Sequence, residues 1–384
     1  MLKIKFENLL VILVLTLIVG YDTLMTTMLN RTIPNLPVIL LICFSLLLCF
    51  RFLYIKKFTF FYILTSILLL ATSSVVFMST GGTNFLLYSL LILLLYDADI
   101  DVILKTYVIV SGAIVLGVFV LSILGVIPNL QFAQVRSSVL VIRNSFGFIY
   151  PTDFASHCFY LFIAWGYILR KRLIVLRTLV GLSLSFFIIK FCDARLNALS
   201  VLLATVIFIL MYVTKERKFK IYGILPYSAA IFSFIMFYLT YFFTWSSPLF
   251  VSLNNLFSMR LFLGKNAIDT YDIHLFGTTG VKFIGYGGTT ESVYSYNYVD
   301  SSYIQMLFYY GVVPVVLLVL IYVIASKRFY KQGMFLFLAL LSLITVNCMI
   351  EAFWVRPGYN IFMFALFASL LPNQYKTKDR IELS

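Results

Sequence analysis

Apolar stretches of roughly 18 residues or more recur from one end of this 384-residue chain to the other. Each is long enough to cross about 30 Å of hydrocarbon as a helix. In lipid the backbone must satisfy its own polar groups, so only helices and closed barrels can span. A barrel needs short alternating segments, which do not occur here. The chain therefore reads as an all-α, polytopic membrane protein forming a single integral membrane domain over 1–384. Its mean hydropathy of +1.01 lies far above that of soluble globular domains. The first apolar stretch is long and ends in no small-residue cleavage site, so it reads as the first span and not as a leader.

The pattern predicts about twelve spans, near 8–29, 36–54, 58–78, 83–96, 103–126, 152–169, 173–190, 196–213, 221–243, 302–325, 333–350 and 357–371. Threading them with the N-terminus inside puts 20 of the 29 Lys and Arg on inside segments and nine outside. That asymmetry predicts both termini in the cytoplasm. It also accounts for the net charge of +14 without nucleic acid. Two long outer loops result, 127–151 and 244–301. Within the second, SLNNLFSMRLFLGKNAI (252–268) has helical apolar spacing and reads as an amphipathic helix on the outer leaflet. No internal repeat stands out, which argues against transporters built from inverted repeats.

Cations on the outer side run against the positive-inside bias, so they need a reason. Arg136, Arg143, Arg195 and Arg260 fall there, spread over three loops. A guanidinium is a planar fork of donors that matches phosphate oxygens and stays charged at every relevant pH. A pyrophosphate at the outer surface is the ligand this chemistry suits. A salt bridge, for instance Asp193 with Arg195, is the structural alternative for any one of them, and lipid headgroups are the other. The acidic run DADID (97–101) falls inside and reads as a solvated turn. His157, at the start of the sixth span, reads as a packed and hydrogen-bonded residue. His274 lies in the second long loop. Two histidines without matching acids give no metal site, and five cysteines without CxxC spacing give neither metal site nor disulfide framework. No cofactor is expected.

R-N-S-F-G-F-I-Y-P-T (143–152) resembles the R-x-S-L-G-F-x-H-P-N signature of Wzy-type polysaccharide polymerases of capsule and exopolysaccharide clusters. SMRLFLGKNAI, then GYGG, then VDSSYIQMLFYYGVV (299–313) resembles that family's order of arginine, glycine-rich segment, D-S-x-Y and a span opening on tyrosine-glycine. The related O-antigen ligases carry H-[NSQ], nine residues, then G-x-x-[GTY]. Here Asp300-Ser301 takes the place of the histidine pair, Gly311 follows after nine residues, and Pro314 departs from the set. The family's H-P-N is Tyr150-Pro151-Thr152, so that histidine has no counterpart.

The resemblance implies a membrane glycosyltransferase. It would move a glycan from undecaprenyl pyrophosphate onto a repeat unit on the same carrier, at the outer face of a bacterial plasma membrane. It implies an inverting, metal-independent reaction, with a flippase and a chain-length regulator as protein partners. On that reading Arg195 and Arg260, with Arg143 and the weaker Arg136, contact pyrophosphate, and Asp300 deprotonates the acceptor hydroxyl. Tyr150, Tyr303, His274 and the tyrosine-rich 294–298 stretch would line the sugar site. An exporter of lipid-linked repeat units and a ligase-like transferase to another acceptor remain the rival readings.

Overall fold

Segments this apolar satisfy their backbone by coiling, and helix dominates. The computed structural model describes residues 6–29, 36–54, 60–96, 98–136, 139–170, 172–287, 289 and 296–368. The N-terminal part holds α1 (Phe6–Leu24), α2 (Leu36–Tyr54), α3 (Phe60–Thr80), α4 (Asn84–Leu94) and α5 (Ile100–Ile123). A hairpin follows, β1 (Gln131–Arg136) with β2 (Val139–Asn144). Next come α6 (Pro151–Ile168), α7 (Ile174–Phe187), a π-helical turn (Ile188–Cys192), α8 (Arg195–Val213) and α9 (Ser228–Tyr241). The chain closes with α10 (Pro248–Leu256), α11 (Arg260–Thr270), α12 (Ser302–Tyr309), α13 (Val312–Lys331), α14 (Phe335–Asn347) and α15 (Ile361–Ala368).

Among the described residues, six helical stretches are long and apolar enough to cross a membrane: Tyr62–Thr80, Ile100–Ile123, Ile174–Cys192, Arg195–Val213, Lys220–Tyr241 and Val312–Lys331. Their apolar side chains do not all turn inward. On α5, Ile109, Leu116 and Ile123 form a stripe spaced by sevens and are 69%, 64% and 62% exposed. Such a stripe is a surface for lipid. α4 is the opposite case. It is apolar all round, and nine of its eleven residues are buried, as a helix without a polar face must be. α2 and α3 flank it. Hydroxyls inside the bundle turn back on their own helices, Ser66 donating to Tyr62 O (2.7 Å) and Thr205 to Val201 O (2.8 Å).

Small residues let helices meet closely where no water exists to drive them together. A Cβ on Gly181 of α7 would collide with Thr205 Oγ1 of α8. Gly311 has a different task. Residues 302–325 read as one span, yet the helix breaks at Tyr310, and Gly311 joins α12 to α13 at φ +92°. A side chain there would strike Gly277 N and Leu275 O. The loop 274–278 is hydrogen-bonded across this break through Val312 N, Val313 N and Thr278 N. A Gly311→Ala variant is therefore expected to lose about 1–3 kcal/mol of stability in detergent, where Gly→Ala at a permissive site would add some, because both φ and space forbid a side chain.

Two further departures from the sequence pattern set the shape of the polar end of the bundle. The 127–151 segment is not plain loop: Gln131–Asn144 pairs as an antiparallel hairpin, Phe132 opposite Arg143. The 252–268 segment is not one helix. α10 and α11 are separated by Ser258 and Met259 at φ +51° and +70°. Asn254, fully buried, holds that corner by accepting from Phe262 N at 3.0 Å. α11 then packs along α9, where a Cβ on Gly264 would come within 2.7 Å of Thr240 Cγ2. One side of α11 thus meets protein, with Arg260, Leu261, Gly264 and Ala267 buried.

Candidate functional site

The two ends of the bundle carry different chemistry. At one end Asp99 caps α5 by accepting from Asp101 N, and Asp101 takes both terminal nitrogens of Arg170 at 3.0 and 3.2 Å. Arg177 reaches the carbonyls of Gly166 and Arg170. The acids of 97–101 that are described, Asp99 and Asp101, thus have structural work there. Asp97 lies outside the described residues.

The other end opens into a cavity of about 870 Å³. The hairpin reaches it because the π-turn after α7 leaves carbonyls unspent. Arg143 Nε donates to Cys192 O (3.1 Å), and Asn144 donates to Phe191 O (3.1 Å). Asp193 then turns the chain at φ +46° and accepts from Arg195 Nε at 3.0 Å. This is the salt bridge weighed as the structural alternative, and it is present. It engages only one edge of the guanidinium, whose side chain is 58% exposed. The break between α10 and α11 places Arg260 at the start of a helix and aims it inward. Its Nε donates to Ile350 O, and its Nη2 lies 3.4 Å from Asp300 Oδ2 and 3.8 Å from Glu351 Oε1.

Asp300 is held by the residues just after it. Ser302 donates to Glu351 O through its hydroxyl, and its N–H meets the carbonyls of Cys348 and Glu351. The start of α12 is thereby fastened to the turn after α14, and Asp300 and Glu351 face one arginine. Behind Glu351 lies a fully buried polar chain. Asn197 donates to Glu351 Oε1 (3.1 Å), Asn347 to Ser200 Oγ (3.2 Å), and Tyr160 to Asn347 Oδ1 (3.2 Å).

Arg143, Arg195, Arg260, Asp300 and Tyr150 thus come from four separated segments to line one cavity. Tyr150 accepts from Gly287 N at 2.7 Å, and burial pushes its hydroxyl up to about 12. Tyr296 and Tyr298, the described tyrosines of the 294–298 stretch, line the cavity as well. Other residues picked from the sequence lie elsewhere. Tyr303 is core: it is 2% exposed, donates to Thr345 O (2.8 Å) and stacks edge-on against Trp354. His274 does not line the cavity, and its carbonyl accepts from Val312 N. The side chain of Arg136 lies outside the described residues. His157 packs, with Nε2 2.9 Å from Thr26 Oγ1 and its ring stacked on Tyr359 at 3.9 Å.

Three lining residues were passed over in the sequence: Asp153, Glu351 and Arg356. Tyr359 donates to Asp153 at 3.1 Å, and Arg356 pairs with Asp22 at 2.8 Å. The available signal was NCMIEAFWVRPGY (347–359), an acid and a cation set between two apolar stretches.

Four arginines therefore meet four carboxylates on the cavity wall: Arg143, Arg195, Arg260 and Arg356 against Asp153, Asp193, Asp300 and Glu351. Glu351 has a side chain only 4% exposed. Burial pushes its carboxyl up to about 8, Asp300 adds to the rise, and Arg260 pulls the other way. Asp300 moves in the same direction, with Arg260 and Arg143 opposing. Burial thus favours the neutral form of two of the four carboxyls and tilts the wall toward positive charge, which suits an anion. A titration follows from the same displacement. The folded state holds the Glu351 proton where the unfolded chain has lost it, so stability falls as pH rises from about 4.5 to about 8. A Glu351→Gln variant is expected to unfold at a temperature that declines less over that window, read by thermal melts at pH 5, 6.5 and 8.

The fold and this wall define a helical, membrane-type protein with a polar, arginine-lined cavity at one end. No family model, no curated protein and no solved structure matches the chain.

Proposed function

We propose that this chain is a polysaccharide polymerase of the Wzy type, a membrane glycosyltransferase acting on undecaprenyl-pyrophosphate-linked repeat units. The observation that carries the reading is the Arg260–Asp300 pair in a cavity shared with Arg143 and Arg195. Clustered guanidinium groups suit a diphosphate, and the carboxylate beside them suits a general base. In the proposed step the acceptor hydroxyl attacks the anomeric carbon of the donor glycan. A new C–O bond forms, the bond to the diphosphate breaks, and the hydroxyl proton passes to Asp300. The carrier diphosphate leaves with the bonding electron pair, its charge met by the arginines of the cavity wall. A carboxylate displaced upward from its ordinary range is a better base at neutral pH than a free one.

Twelve crossings follow if α1, α2, α4, α6, α14 and α15 cross with the six long stretches. The 20-to-9 distribution of cations favours the cavity end as the outer face, with both termini in the cytoplasm of a bacterial cell. A flippase supplying repeat units and a chain-length regulator are the proposed protein partners. An exporter would place its charge at mid-span between two similar halves. The test is reconstitution: purified protein with lipid-linked repeat units should yield a ladder of polymer on a gel. Repeat units that cross the membrane but stay single would overturn the reading in favour of export.

A further inference from the structure

A second cavity of about 290 Å³ adjoins the first. The two share Met25, Tyr298, Ala352 and Arg356 on their walls, so a chain-like ligand can lie in both. Their chemistry differs. The first gathers four arginines and four carboxylates. Among the described residues, the second has one acid and one cation on its wall, Asp22 and Arg356. These neutralise each other at 2.8 Å, and Gly358 N completes the Asp22 carboxylate at 2.9 Å. An anion gains nothing there that the pair does not already hold.

The rest of the wall mixes apolar side chains, among them Ile18, Leu87, Met306 and Val355, with tyrosines and two amides. Tyr21, Tyr88, Tyr298, Tyr309 and Tyr310 all contribute to the wall, with Asn84 and Gln305. A tyrosine offers a flat apolar face and a hydroxyl at its rim. A sugar ring offers the complement: an apolar C–H face and a girdle of hydroxyls. A fatty tail would match the apolar side chains alone and offer nothing to the tyrosine hydroxyls and the Asn84 amide, whereas Gln305 is already spent on Val299 O. The volume sits at the small end of ligand cavities, which run roughly 300–1,000 Å³, and fits a short saccharide rather than a long one.

We infer that the second cavity is a binding site for the uncharged saccharide of a lipid-linked ligand whose diphosphate occupies the first, with the Asp22–Arg356 pair as the divide between them. The inference rests on the polymerase reading and adds where the sugar lies. It predicts that affinity has two separable parts, one from the diphosphate and one from the glycan.

The experiment measures binding to the purified full chain in nanodiscs. The two probes are bare undecaprenyl pyrophosphate and the same lipid carrying its repeat unit, isolated from producing cells that lack this protein. The glycan should tighten binding roughly tenfold over the bare lipid. Tyr21→Ala and Asn84→Trp, which empty and fill the second cavity without touching the first, should each remove that increment. Bare-lipid affinity, the control for folding, should not change. Equal affinity for the two probes, or an increment that survives either substitution, overturns the saccharide site and leaves the polymerase reading standing. Failure of the wild-type chain to bind either probe overturns both.

Discussion

Arg260→Ala is expected to yield no polymer and a protein that unfolds at a clearly lower temperature. Both effects come from the same geometry. The side chain is 9% exposed and ties three segments together, through Ile350 O, Phe257 O and the carboxylates of Asp300 and Glu351. Removing one partner from a buried ionic cluster costs about 3–5 kcal/mol, and here Ile350 O and Phe257 O lose their donor at the same time as Glu351 loses its cation. Arg260→Lys separates the two effects. An ammonium keeps the charge and part of the stability, but it cannot reach a backbone carbonyl and two carboxylates with one fork. The lysine variant should melt between wild type and alanine, and it should still fail to polymerise. Polymer ladders from membranes and melts of the purified protein read the two outcomes. A lysine variant with wild-type polymer would remove bidentate anion recognition from the role of Arg260.

The helices were legible because hydrocarbon leaves the backbone so few options. Stretches such as 103–126 and 196–213 are recognised by length and apolarity alone, and α5 and α8 lie there. The cationic wall was partly legible for the inverse reason. Arg143, Arg195 and Arg260 stand where the topological bias disfavours charge, so each invites an explanation, and the structure brings all three to one cavity. What stayed hidden depends on contacts between distant segments. Ser258 and Met259 can take left-handed backbone only because Asn254 holds the corner, and no local pattern announces that. The hairpin at 131–144 is fastened by carbonyls of a π-turn nearly fifty residues later. Glu351 and Arg356 sit at the edge of an apolar run and look like span-end residues until Ser302 is seen to fasten the turn beneath Asp300. Tyr303 shows the reverse error. A tyrosine beside a motif acid looks like a ligand-facing residue, yet helical geometry three positions on turns it into the core against Trp354.

Asp300→Asn is expected to fold normally and to lose polymerisation by about 10²–10⁴-fold, the usual worth of a positioned general base. Folding survives because the amide keeps the shape and can still accept from Arg260. The lost ion pair, long at 3.4 Å with the carboxylate 27% exposed, contributes no more than about 1 kcal/mol. The pH profile distinguishes a base from a structural acid. Burial raises the Asp300 carboxyl above its ordinary range. The wild-type rate should therefore climb with pH through a midpoint higher than that of a free aspartate, as the base becomes ionised. The residual rate of Asp300→Asn should be flat over that interval. Glu351→Gln is the companion measurement, since Glu351 shares Arg260 but sits deeper, where burial favours its protonated form. It should keep most of the activity and the sloping profile. A reversal, with Asp300→Asn active and pH-dependent while Glu351→Gln is inert, would transfer the proton-accepting role to Glu351. Full polymer from both variants would leave the cavity without a carboxylate base and end the proposed mechanism.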